Sequence, residues 1–458
     1  MKKLLPGFVV IVLLSIVYGG FYLSQVLSAG SGFAAKNLCS AHFLSGLAGQ
    51  QIIDEALMPA SSVLANTHYN IDEDKRQVDA AIYGLFERRA VFSDGTGCTL
   101  LQAGKKNLPP RTKTPVIKPD NGHLAWPVGS AGVKPNERLQ AVIDGAFAEP
   151  GGEFKRNTKA VVIIHKGKLV AERYAPGIDP ATPLIGWSMT KSITNLLTGL
   201  LVHDGRLALD QPAPVPAWHN KAGDPRAEIT IDQLLRMSSG LEFEEEYALF
   251  SDVTRMLSVE ADAGGFAASK PLLAEPDSLW YYSSGTSNIL SGIVRLTVDG
   301  DPQQYYDFAQ QRLFNPLGIY TAAIETDYNG TFIGSSYMYA SARDWARLGQ
   351  FCLQNGRWQG QQLLPADWLQ YSTSPTPTNP RNNYGAHFWL NADPADERQE
   401  RTWPSLPADT YSMNGFQGQR VVIVPSKDLV VVRLGFSGGK KRGIEQLVAG
   451  VIDILAPE

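Results

Sequence analysis

The sequence predicts an α/β fold: one antiparallel sheet flanked by helices and interrupted by a mostly helical insertion. Three observations carry this expectation. Two β-rich runs, Lys159 to Ile164 and Lys168 to Tyr174, flank His165-Lys166-Gly167 as a hairpin. A second pair, Arg420 to Val424 and Leu429 to Leu434, flanks Pro425-Ser426-Lys427-Asp428 near the other end of the chain. Between the pairs the apolar pattern is mainly helical, so the two chain ends close the sheet around a helical middle.

The amino end comes first. Lys2 and Lys3 precede Leu4 to Leu23, about twenty residues without a charge, and the next charge is Lys36. This length favours an uncleaved membrane anchor over a cleaved signal peptide, although Val26-Leu27-Ser28 and Leu27-Ser28-Ala29 leave cleavage open. Both readings keep the lysines in the cytoplasm and place the remainder outside it, in the periplasm or cell envelope. Residues 1–29 are therefore expected to be targeting or anchoring sequence, 30–120 an extension, and 121–458 the main domain.

Gly30 to Ala35 reads as a short flexible linker, and helical periodicity follows at Ile52 to Leu57 and Val78 to Phe86. No chemistry attaches to this segment, which reads as a packed extension bracing the main domain. Pro109 to Pro115 and Lys118 to Gly122 break structure and place a boundary near residue 120. Cys39 and Cys98 lie in the same segment and form a disulfide candidate in an oxidising compartment, with Cys352 left over. Neither the cysteines nor the histidines show metal-ligand spacing, so no metal or cofactor is expected. A net charge of −4, without a long run of one sign, argues against nucleic acid as a partner. The 44% apolar and 10% aromatic content suits a large buried core. Oligomeric state is not legible here.

In the main domain, Val133 to Ala148 reads as a helix. Ile193, Leu196, Leu197, Leu200 and Leu201 then mark a helix with one buried face, stopped by Asp204-Gly205. Ser188 and Lys191, three apart at its start, share a face, so a hydroxyl stands beside an amine. The amine can take the hydroxyl proton only if burial or a nearby cation lowers its pKa. The same spacing recurs at Ser437 and Lys440, in a glycine-rich loop with no helix to align the pair. A closing helix is expected from Ile444 to Leu455.

Two further clusters supply partners. Trp280-Tyr281-Tyr282-Ser283-Ser284-Gly285 precedes an apolar run and reads as a loop entering a helix, where a tyrosine could relay a proton. Ser412-Met413-Asn414-Gly415-Phe416-Gln417-Gly418-Gln419 precedes the Arg420 strand, where glycines let backbone approach a ligand and present N–H groups to an oxyanion. Trp187, Trp280 and Tyr281 are either the lining of a tunnel for apolar acyl chains or simply core. Glu244, Glu245, Glu246 and Tyr247 either line the mouth of a site or form a solvated acidic loop, the second being the plainer account.

In this order the clusters resemble the serine β-lactamase and penicillin-binding-protein superfamily, closest to its class C-like branch with the 6-aminohexanoate-dimer hydrolases. The resemblance covers roughly residues 125 to 455. Ser188-Met189-Thr190-Lys191 matches S-x-x-K, and Ile229 to Leu241 nearly completes the family's I-T-I-x-x-L-L-x-M-x-S-G-L stretch. Tyr282-Ser283-Ser284 stands at Y-x-N, in the Y-x-S-G form of the dimer hydrolases. Met413-Asn414-Gly415 replaces lysine-threonine-glycine, which removes the cation that receives a β-lactam carboxylate. The resemblance implies a β-lactamase/DD-peptidase-like fold and acyl transfer without a cofactor. Ser188 is then the nucleophile, Lys191 with Tyr282 its base, and Tyr282 the acid for the leaving group. Backbone N–H groups of Ser188 and Phe416 serve the oxyanion, while Gly415, Asn414 and Ser284 contact substrate. A small-molecule or peptide-like acyl donor is the expected partner, with a true β-lactam doubtful.

Two rivals remain in view. Gly435-Phe436-Ser437-Gly438-Gly439 is a literal G-x-S-x-G, but the last histidine, His387, precedes it, whereas a nucleophile elbow needs its acid and histidine downstream. The second rival is a non-catalytic wall-binding or sensor protein on the same fold. Intact Ser188, Lys191 and Tyr282 speak against that reading.

Overall fold

The computed structural model describes residues 5–102, 104–105, 107–109, 123–129, 131, 133, 136–152, 155–247, 250–392, 401–439 and 443–456. The expected boundary near residue 120, Lys2, Lys3 and Lys440 lie outside the described residues.

Helix α1 runs unbroken from Leu5 to Phe43, about 58 Å at 1.5 Å per residue. Its first half is an apolar stem: Leu14, Val17, Tyr18 and Phe21 are each more than half exposed. By length and composition this helix can cross a membrane. Its second half is buried, and the expected linker is corrected here. Residues 30–35 are helix interior, with Ala34 and Ala35 fully buried. Small residues allow the helix to seat closely on the sheet beside it, and that packing outweighs the backbone freedom glycine would otherwise have.

That sheet is antiparallel, in the order β1 (Thr67–Asp72), β2 (Gln77–Ile82), β3 (Leu85–Ser93), β4 (Gly97–Leu100). Helical periodicity at Val78 to Phe86 is therefore overturned, because those residues form β2 and the start of β3. Val78, Ala80 and Ile82 alternate along β2 and are buried against α1, so a period of two was present beneath the short helical pattern. Ile52 to Leu57 is helical as expected.

The main domain opens with α2 (Glu137–Phe147) and the hairpin β5 (Thr158–His165) and β6 (Lys168–Tyr174). Helices α3 (Thr190–His203), α4 (Ser284–Thr297) and α5 (Ala342–Leu353) fill the middle. The chain then returns as β7 (Trp389–Leu390), β8 (Tyr411–Asn414), β9 (Arg420–Val424) and β10 (Leu429–Gly435), and closes with α6 (Ile444–Leu455). The sheet order is β7-β8-β9-β10-β5-β6, antiparallel throughout. Late strands thus pair with early ones, Val432 facing Val162.

Alternation along the strands divides the core in two. Val162, Ile164, Val421, Ile423, Val430 and Val432 face the main core with α3 and α5. Val161, Ile163, Val422, Val424 and Val431 face α2 and α6.

Candidate active site

Helix α3 is buried on every side, not on one face as its apolar stripe implied. Its polar side chains are paired: Ser192 Oγ donates to the His387 carbonyl at 2.7 Å, Thr194 Oγ1 to the Gly334 carbonyl at 2.7 Å, and Asn195 Nδ2 to the Ala386 carbonyl at 2.9 Å. Satisfied this way, polar residues cost little inside a core. Asp204 and Gly205, the latter at φ +67°, end the helix as expected.

Ser188 lies in the 3₁₀ turn that leads into α3. The preceding residue, Trp187, holds φ +47°, a conformation that bulky residues avoid and that a tightly packed surrounding must enforce. Beyond it, the chain after β8 crosses the Ser188 turn so closely that a Cβ on Gly415 would lie 2.1 Å from the Gly186 carbonyl oxygen. The glycine permits backbone to meet backbone at the serine turn.

Lys191 is 1% exposed. Its Nζ lies 3.3 Å from Ser188 Oγ, 2.9 Å from Ser284 Oγ and 3.1 Å from the Ser335 carbonyl oxygen, and 4.7 Å from the centre of the Tyr282 ring. Burial lowers the lysine to about 8, against an opposing pull from Glu245. Burial and then Glu245 raise the Tyr282 hydroxyl well above its ordinary value, against an opposing pull from Ser188, so it stays protonated. Tyr384 and Trp389 pack edge-on and tilted against the Tyr282 ring, at 5.7 and 5.4 Å.

Ser284 is fully buried behind Lys191 and does not line the cleft. Its hydroxyl is engaged by Lys191 and donates to Glu245 Oε1 at 2.6 Å, which takes it away from the expected substrate contact. Its backbone N–H donates to Glu245 Oε2, also at 2.6 Å. Glu245 therefore caps the N-terminus of α4, where a carboxylate is favoured. Of the two readings of Glu244 to Tyr247, the solvated acidic loop is the plainer from sequence, but Glu245 and Tyr247 follow the other and line the cleft. The Lys191–Ser284–Glu245 chain is invisible in spacing, because residue 245 arrives from a separate loop.

Ser188, Tyr282, Glu245, Asn414, Gly415 and Phe416 line one open cleft of about 900 Å³. Asn414 Oδ1 is buried there without a hydrogen-bond partner among the described residues. Met413, in the place of the family's lysine, is fully buried. Cations nonetheless border the cleft from other segments: Arg381, Arg401 and Arg420. Nothing in their spacing marked them. His387 is buried beneath α3, its Nδ1 3.0 Å from the Lys191 carbonyl, and burial and then Lys191 lower it to about 3, so it stays neutral. Ser437, the elbow candidate, is buried, donates to the Arg156 carbonyl and accepts from Arg433, so it is no exposed nucleophile. Trp280 packs against Tyr384, and Tyr281 borders a different hollow, so of the three rings only Trp187 lines an apolar space beside the site.

An antiparallel sheet closed by both chain ends, with a serine–lysine pair at the start of a buried central helix, defines a serine-hydrolase-like α/β protein. The chain belongs to the beta-lactamase family, whose profile matches residues 143–441. It is 22% identical over 296 residues to a 6-aminohexanoate-dimer hydrolase of Paenarthrobacter ureafaciens, covering 60% of this chain and 72% of that one. Among solved structures, a Bacillus anthracis protein provisionally named a 6-aminohexanoate-dimer hydrolase superposes with a TM-score of 0.55 at 21% identity, covering 75% of this chain and 87% of its own. A penicillin-binding-protein homologue from Caulobacter crescentus gives 0.52 at 19% identity, covering 70% and 99%. These likenesses establish the β-lactamase/DD-peptidase fold.

Proposed function

We propose that this protein hydrolyses an amide or ester through an acyl-enzyme on Ser188. The observation that carries the reading is Lys191: buried, lowered to about 8, and 3.3 Å from a hydroxyl that opens on the cleft. A neutral Lys191, with Tyr282, accepts the Ser188 proton as Oγ attacks the carbonyl. N–H groups of Ser188 and Phe416 hold the oxyanion, while Asn414 and Gly415 border the substrate. Tyr282, kept protonated, gives a proton to the leaving amine or alcohol, and water then releases the acid. The Y-x-S-G form of the tyrosine motif and the buried Met413 favour a linear amide or ester, as in the 6-aminohexanoate-dimer hydrolases, over a β-lactam. The substrate is a small-molecule or peptide-like acyl donor.

Helix α1 anchors the protein in a membrane with its body outside the cytoplasm, in keeping with the Cys39–Cys98 disulfide. On this reading 1–29 is the anchor, 30–120 the extension and 121–458 the hydrolase domain. Intact-mass analysis after a fluorophosphonate tests the mechanism. One adduct, absent in Ser188→Ala, is expected; an adduct that survives Ser188→Ala, or none at all, overturns it and brings the non-catalytic reading forward.

A further inference from the structure

Behind the catalytic cleft lies a second, narrow apolar space of about 110 Å³. One wall is α1, through Val26, Ala29 and Phe33; the extension adds Val63, and the main domain adds Trp187 and Phe416. The two spaces share a border, because Phe416 and Tyr247 line both, their rings stacked with centres 6.0 Å apart. They also meet at the serine turn, since Trp187 lines the apolar space and Ser188 the catalytic one. Phe33 stacks on Trp187 at 5.9 Å, so α1 reaches the residue next to the candidate nucleophile. Just before this wall, α1 leaves the body as its exposed apolar stem, with Leu23 54% exposed and Val26 8%.

We propose that this space holds the alkyl chain of an amphiphilic ester or amide whose scissile carbonyl lies at Ser188. The inference rests on the acyl-enzyme reading above and adds the substrate class to it. The chemistry of the walls selects the occupant. An alkyl segment there gains roughly 0.8 kcal/mol per buried CH₂, whereas a charged group would lose its solvation among walls that are mainly aliphatic and aromatic, with Ser61, Thr254 and Ser258 the aliphatic hydroxyl side chains among them. The cleft on the other side of Phe416 is bordered by Arg381, Arg401 and Arg420 and suits a polar head. An amphiphile spans the two with one end in each. The helix that supplies the apolar wall is also long and apolar enough to enter a bilayer, so the tail's site lies next to where the stem meets the body. Residues 26–63, which supply one side of this space, fall outside the matched family segment.

The full chain in lipid nanodiscs is labelled with a methyl and an octyl fluorophosphonate, and the adduct on Ser188 is followed by intact mass. Ala60 lines the space beside Val63, so Val63→Trp and Ala60→Phe fill it from its extension side. The octyl-to-methyl ratio of labelling rates is expected to fall at least tenfold in the filled variants, which cancels any preference due to partition into lipid. A linear fatty acid with a mid-chain diazirine is photo-crosslinked to the unmodified protein in parallel, and its attachment is expected at Phe33, Val63 or Trp187. Crosslinks confined to the stem before Leu23, or a ratio unmoved by both fillings, overturn the proposal. If neither phosphonate labels Ser188, the acyl-enzyme reading fails by itself, and the crosslink map alone decides whether an alkyl chain occupies the space.

Discussion

Lys191 can serve as a base only in its neutral form, and what tunes that form is Glu245 acting across Ser284. The carboxylate favours the ammonium and partly offsets the effect of burial. The second-order rate of fluorophosphonate labelling should therefore rise with pH through an inflection near 8. Glu245→Gln keeps an acceptor for Ser284 but removes the charge, so the ammonium loses its partner and the inflection moves to lower pH. An inflection that stays in place or moves upward would show that Glu245 does not reach Lys191. Tyr282→Phe retains the ring that packs on Tyr384 and Trp389 but deletes the hydroxyl. With an amide substrate, kcat/KM is expected to fall about 10²–10⁴-fold; a loss smaller than threefold would remove Tyr282 from the proton path.

At the scale of elements, a buried carboxylate is one of the polar ties between the extension and the main domain, beside Lys159–Glu55 at 2.7 Å and Gln417 Nε2 donating to the Ala56 carbonyl at 2.7 Å. Glu325, fully buried, takes Lys36 Nζ of α1 at 2.6 Å, Ser40 Oγ at 2.6 Å and the Cys98 N–H at 2.6 Å. Lys36→Met leaves that charge buried without its cation and should cost about 3–5 kcal/mol in chemical denaturation. Adding Glu325→Gln to Lys36→Met should recover part of the loss, because a neutral pair needs no counter-charge. If the double variant is less stable than Lys36→Met alone, the pair is not such a tie. This tie also marks where sequence stops being informative. The hairpins, α6 and the end of α3 were legible because turn residues and apolar period are local properties. Glu325, Glu245 and the bordering arginines were not, since their role depends on which distant segment folds against them. The buried half of α1 was misread for a related reason: glycine and alanine signal a linker by local propensity, but packing against β2 decides their conformation.

At the scale of the molecule, the main core is continuous from Leu27 in α1 to Phe436 after β10. Buried apolar surface on that side of the sheet is thus shared between the extension and the rest of the chain, with no separate core for the extension among the described residues, and Cys39–Cys98 closes a span of 59 residues within the extension. A shared core unfolds as one unit, because neither part keeps its buried face when the other leaves. Calorimetry of the body in detergent should then show one endotherm. Breaking the bridge with Cys98→Ser should lower stability by about 2–4 kcal/mol and move that single peak to lower temperature. A separate early peak for the extension, in either protein, would mean that the apolar wall beside Trp187 can detach while the catalytic fold persists. The alkyl-chain site would then be a docked lid instead of a fixed part of the cleft.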